Sequence, residues 1–197
     1  MGVTVPAMNF RGASLLPFLA LGLMLVVVRV LGAGTLGGLS NLQPFGALFF
    51  CAAACAGSRW LWVAALAWIA TVPVTSAING YSWTFHLLTP MVGFAALVAI
   101  GRSFRGKATG VVFGGSLLGG LAFYLITNVL AWATSGFYAK TLAGLTQALW
   151  TGTPGYPPTY LFFRNEMLAQ ALFSGVFLLA WGGVRQASAL RLRQAEA

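Results

Sequence analysis

Residues 109–134, TGVVFGGSLLGGLAFYLITNVLAWAT, run from a basic turn to a polar loop without one charged side chain. A bilayer core about 30 Å thick is crossed by roughly 20 apolar helical residues, so this stretch is long enough to span one. Outward from it, Gly, Pro, Asn and basic residues mark off five further apolar runs, near 15–33, 44–57, 60–78, 84–101 and 166–184. The pattern predicts an all-α, polytopic membrane bundle of six transmembrane helices, with residues 1–197 as one integral membrane domain. The second run is short for a span, and only Ser58-Arg59 separates it from the third. Those two are either a tight hairpin or one broken element.

Composition agrees. The chain is 59% apolar and 7% charged, with a mean hydropathy of +0.85, whereas an ordinary soluble surface needs roughly a quarter charged residues. Eleven Lys or Arg stand against Glu166, Glu196 and no Asp. That balance in a soluble protein suggests nucleic acid, but here the positive charges sit at the ends of apolar runs, where topology and lipid contact explain them and no nucleic-acid partner is expected. The first run is longer than a signal-peptide core and lacks a small-x-small cleavage site, so it is read as a true span.

Cytoplasmic loops collect Lys and Arg. Placing both termini inside puts Arg11, Arg59, the cluster Arg102, Arg105 and Lys107, and the tail Arg185, Arg191 and Arg193 in the cytoplasm, leaving Lys140 and Arg164 outside. The expectation is a multi-pass protein of the bacterial cytoplasmic (inner) membrane, N-in and C-in, with a long outer loop between the fifth and sixth helices. Within that loop Phe137 to Trp150 has the makings of a short interfacial helix, and Thr151 to Pro158 cannot be helical.

Few residues offer chemistry. Arg29 lies inside Val26-Val27-Val28-Arg29-Val30, where a mid-bilayer cation costs about 2.5–3.5 kcal/mol, so it either snorkels or faces a polar cavity. The one histidine, His86, follows Trp83 near Asn79, while Asn128 and Gln170 are intramembrane amides that either bond a neighbouring helix or line a cavity. Arg164-Asn165-Glu166 is read as the opening of the sixth helix, with Glu166 in the first turn complementing the dipole and pairing with Arg164. Gly110, Gly114, Gly115 and Gly119 form small-xxx-small patterns that mark a helix-packing face. Cys51 and Cys55, at helical spacing, are free thiols acting as small packers. A soft-metal site of Cys51 with His86 or Met91 is the weaker reading. One histidine and no Asp leave paired-carboxylate catalysis without its parts, so no enzyme activity and no cofactor is expected.

Asn41-Leu42-Gln43-Pro44-Phe45-Gly46-Ala47, Tyr81-Ser82-Trp83-Thr84, Phe123-Tyr124-Leu125-Ile126-Thr127-Asn128, Tyr138-Ala139-Lys140-Thr141-Leu142-Ala143-Gly144-Leu145 and Phe162-Phe163-Arg164-Asn165 occur in that order. Together they resemble an uncharacterised bacterial multi-pass membrane family of unknown function that carries a transport label, over about residues 40–184. The chain departs from that pattern at Thr75-Ser76 and at Ala169-Gln170, where the family leads one to expect an acid. In size and helix number it is also similar to the substrate-binding components of energy-coupling-factor vitamin transporters, although the first run shows no Ala-x-x-x-Ala docking face.

The resemblance implies uptake of a vitamin- or micronutrient-like small molecule, with membrane lipid, a small-molecule ligand and an energising module or other membrane subunit as partners. Arg29, Asn41, Gln43, Asn79, Trp83, His86, Asn128 and Tyr156 all fall in the outer half or outer loops of the topology and are the expected ligand-binding residues. The alternative is a non-catalytic structural or assembly subunit of a larger membrane complex.

Overall fold

The computed structural model describes residues 27, 42–57, 60–79 and 88–195, and among them every regular element is a helix. Helix α1 covers Phe45–Cys51 and widens into a π-helical segment at Ala52–Ala56. Then follow α2 (Leu61–Asn79), α3 (Leu88–Ser103), α4 (Thr109–Thr134), α5 (Leu142–Leu149) and α6 (Thr159–Ala195). The run predicted at 15–33, apart from Val27, lies outside the described residues.

Helix α1 occupies the centre. Every residue from Phe45 to Cys51 is buried, and α1 packs against α2, α3, α4 and α6. Its seven α-helical and five π-helical residues, at a rise of about 1.5 Å each, reach about 18 Å, well short of a 30 Å core. Gly57, at φ 93°, breaks the helix, and Trp60 N donates to Gly57 O at 3.0 Å as the chain enters α2. The second and third runs are therefore two helices joined at a glycine break. A π turn widens the backbone ladder and leaves carbonyls in need of donors. Arg105, from the basic turn between α3 and α4, supplies one: its Nη2 donates to Ala53 O at 2.9 Å.

Aromatic rings tie the surrounding helices to α1. Phe94 of α3 stacks on Phe49 of α1 at 4.5 Å and on Phe123 of α4 at 5.3 Å, and takes the edge of Trp68 of α2 at 5.5 Å. Small residues let the backbones close up. A Cβ at Gly101 of α3 would stand 2.7 Å from Phe50 O, and one at Gly119 of α4 would stand 2.8 Å from Leu97 Cδ2. Gly115 packs on the Phe104 ring, whereas a Cβ at Gly110 or Gly114 would meet nothing within 4 Å among the described residues. The glycine pattern of α4 thus divides into one face that packs within the chain and one that meets no neighbour among the described residues.

The helix expected at 166–184 begins earlier, at Thr159, and continues to Ala195. Pro157-Pro158 ends the loop, and Thr159 follows directly. Glu166 is consequently interior to α6 rather than in its first turn, which corrects its reading as a helix-opening cap. Arg164 directs Nε and Nη2 at Asn165 Oδ1, at 3.1 and 3.0 Å. Two helices, Thr109–Thr134 and the Thr159–Gly183 portion of α6, are long and apolar enough to cross a membrane.

Candidate functional site

Helix α6 carries opposite chemistries on its two sides. Glu166, Gln170 and Ser174 recur every four residues and point into the bundle, with Asn165 beside them, and all four are buried. Leu168, Leu172, Val176 and Leu179 recur with nearly the same spacing and are exposed. On α4 the exposed stripe is again apolar, Leu118, Leu121, Leu125 and Val129, while Ser116 is fully buried. The helix period of 3.6 produces both stripes, but their placement inverts that of a water-soluble bundle.

The inward stripe is built around one pair. Gln170 Nε2 donates to Glu166 Oε1 at 3.1 Å. Two glycines make room for it: a Cβ at Gly46 of α1 would overlap the Gln170 amide nitrogen and stand 2.9 Å from Glu166 Oε1, and one at Gly120 of α4 would stand 2.6 Å from Gln170 Cγ. Helix α1 begins at this level, with Pro44 fully buried just before it. Gln170 Oε1 is buried without a hydrogen-bond partner, and the Ser174 hydroxyl, with no oxygen or nitrogen partner, lies beside the Cys51 thiol. A buried acceptor left open in this way costs about 1–3 kcal/mol, which marks the pair as more than packing.

Next to Glu166 a cavity of about 120 Å³ opens between α4 and α6, lined among the described residues by Phe123, Tyr124, Thr127, Asn128, Phe162 and Glu166. One water needs roughly 10–15 Å³ by this measure, so the cleft has room for several waters or a small organic molecule. Its donors are mostly committed elsewhere. Thr127 Oγ1 donates to Phe123 O at 2.9 Å, Asn128 Nδ2 donates to Tyr124 O at 2.8 Å, and Tyr124 Oη donates to Leu149 O.

The Tyr124 bond also fixes the segment that follows α4. Thr141 caps α5, its Oγ1 accepting from Gly144 N at 3.1 Å, and Gln147 exchanges bonds with Gly152 at 2.7 and 3.0 Å. Trp132 Nε1 donates to Ala139 O at 2.9 Å, and Tyr160 N donates to Trp150 O at 2.9 Å. The short helix expected within Phe137 to Trp150 is thus Leu142–Leu149, and the segment after it, apart from single turns, is irregular as expected.

Of the expected ligand-binding residues, Asn128 lines the cleft. Gln43 is half-buried just before α1, and Tyr156 is 60% exposed on a turn. Asn79 ends α2 with its side chain outside the described residues, where Arg29, Asn41, Trp83 and His86 also lie. Of the soft-metal candidates, Cys51 is fully buried, Met91 is half exposed on α3, and His86 lies outside the described residues. Among the described residues no three His, Cys, Asp or Glu group together as metal ligands. Glu166 and Thr127 were absent from the expected site. The signal for Glu166 was present, in the four-residue spacing of Glu166, Gln170 and Ser174 opposite a leucine stripe.

The molecule is a helical bundle built around a short, buried, apolar helix, with apolar stripes exposed on α4 and α6 and a polar stripe buried on α6. The chain belongs to a family of unknown function, DUF6580, whose model matches residues 11–191. No curated protein and no solved structure matches it, and the similarity to vitamin-transporter components rests on size and helix number alone.

Proposed function

We propose that this chain is a multi-pass protein of the bacterial cytoplasmic membrane that binds a small polar solute between α4 and α6 and takes part in its uptake. The observation that carries this reading is the inverted polarity of α6, with Glu166, Gln170 and Ser174 inward and Leu168, Leu172, Val176 and Leu179 outward. Lipid is the solvent that such a surface matches, and intramembrane polar groups facing a bundle interior mark solute or ion paths. Helix α1 supports it further. The helix starts inside the protein, with Pro44 fully buried and Gly46 beside Glu166, and at membrane depth a helix end is tolerated only inside protein or along a cavity. Interrupted helices whose ends meet at a polar centre are the usual build of a solute site.

In this reading both termini and the turn Arg102 to Lys107 face the cytoplasm, and the segment 135–158 covers the outer end. The protein binds rather than transforms its solute, and an energising partner subunit would drive release.

Mass spectrometry of small molecules carried through a mild-detergent purification tests the reading. A solute retained by the wild type and lost from Glu166→Gln, with an unchanged size-exclusion profile, is the expected result. A fixed stoichiometric complex with another membrane protein and no retained solute would instead assign the chain as a structural subunit.

A further inference from the structure

The donors and acceptors that line the cleft decide what kind of solute it admits. We infer that the cleft takes a primary ammonium group, seated against the Glu166 carboxylate between aromatic walls, an inference that rests on the solute-binding reading above.

The rim of the cleft offers an excess of acceptors. Thr127 and Tyr124 spend their hydroxyl hydrogens on Phe123 O and Leu149 O, so the oxygens of both present lone pairs to anything bound. Asn128 spends one amide hydrogen on Tyr124 O, leaving Oδ1 as an acceptor and a single N–H. Glu166 is the only Asp, Glu, Lys, Arg or His among the cleft's described residues, and its Oε1 accepts from the Gln170 amide on the next turn of α6. Gln170 Oε1 is one more buried acceptor without a partner.

A ligand complementary to this lining brings donors and a positive charge, not an anionic group. Phe123, Phe162 and Tyr124 supply the other half of the recognition. Aromatic rings attract an ammonium electrostatically and also accept its alkyl portion, which a hydrated metal ion does not require. The volume of about 120 Å³ limits the bound part to a few heavy atoms. A free amine and the headgroup of an aminophospholipid share this chemistry, and the test separates them.

The full chain is reconstituted in nanodiscs of phosphatidylcholine, which carries no primary ammonium, and its melting is followed with ethylammonium chloride, sodium chloride or sodium acetate at matched ionic strength. The expected result is a rise of about 5 °C with ethylammonium well above its Kd, and no comparable rise with the other two salts. Glu166→Gln should abolish that rise. Asn128→Leu, which removes an acceptor while Tyr124 O keeps its helical N–H, should lower the apparent affinity about tenfold and stands as the second variant if Glu166→Gln does not fold. An equal rise with sodium chloride or acetate, or a full ethylammonium response in both variants, overturns the inference. A rise obtained by adding phosphatidylethanolamine to the disc but not by ethylammonium keeps the ammonium chemistry, assigns it to a lipid headgroup and overturns the uptake reading alone. A retained solute without an ammonium group overturns this inference and leaves the uptake reading standing.

Discussion

Gly46 of α1 and Gln170 of α6 approach so closely that a single methyl group on Gly46 would occupy the place of the Gln170 amide nitrogen. The same methyl would stand 2.9 Å from Glu166 Oε1, so one glycine admits both members of the central polar pair. On its other side the Gln170 side chain packs on Gly120, where a Cβ would stand 2.6 Å from Cγ, so it has little room to swing away.

Gly46→Ala should therefore destabilise the protein by about 1–3 kcal/mol, the usual cost of overpacking a filled interior. Gly114→Ala makes the control, because nothing among the described residues lies within 4 Å of its Cβ position and alanine is favoured over glycine in a helix by about 1 kcal/mol. Thermal melting in detergent should show the two shifts with opposite signs. Equal melting of the two variants would remove the close approach.

Arg105→Met removes the donor that Ala53 O accepts from in the π segment of α1. A carbonyl deprived of a charged donor costs about 1–3 kcal/mol. Hydrogen exchange should then quicken around residues 52–56 while the α6 core stays protected. Uniform exchange across both helices would show that the bond holds nothing local.

Tyr124→Phe deletes the bond from α4 to Leu149 O at the end of α5. About 1 kcal/mol of anchoring is lost, and limited proteolysis within residues 135–158 should accelerate severalfold with little change in global melting. An unaltered cleavage rate would mean that the turn between Gln147 and Gly152 holds the segment without Tyr124.

The two cysteines should differ in accessibility. Cys51 is fully buried beside Ser174, whereas Cys55 is partly exposed. In a Cys55→Ala background, N-ethylmaleimide should modify Cys51 only after unfolding. Rapid labelling of the native variant would place α1 at a surface.

Topology is tested by labelling introduced cysteines in intact cells with an impermeant maleimide. On a background lacking Cys51 and Cys55, Thr153→Cys should react from outside and Ser103→Cys should not. The reversed pattern would invert the bundle and put the Glu166 cleft toward the cytoplasm.

Much of the helix pattern was legible in the chain. Residues 109–134 were bounded correctly because a basic turn and a polar loop punctuate an uncharged run, and hydropathy reports that directly. The break after α1 was legible as a short run set off from the next by Ser58-Arg59, and the structure places it at Gly57. The start of α6 was misplaced because Arg164, Asn165 and Glu166 look like a helix opening, and a one-dimensional reading treats charge as a boundary. Here the charge lies inside the helix, turned toward neighbours that the local sequence does not name.

By itself the sequence determined that the chain is helical and that its long runs are apolar enough for lipid, since both follow from composition and period along the chain. It also fixed the spacing of Glu166, Gln170 and Ser174 on a single face. Only the tertiary structure decided that this face is the interior one, and that Gly46, more than a hundred positions away in sequence, clears the space the pair fills. A polar residue's role depends on what stands opposite it, and contacts between residues far apart in sequence leave no periodic trace in the chain itself.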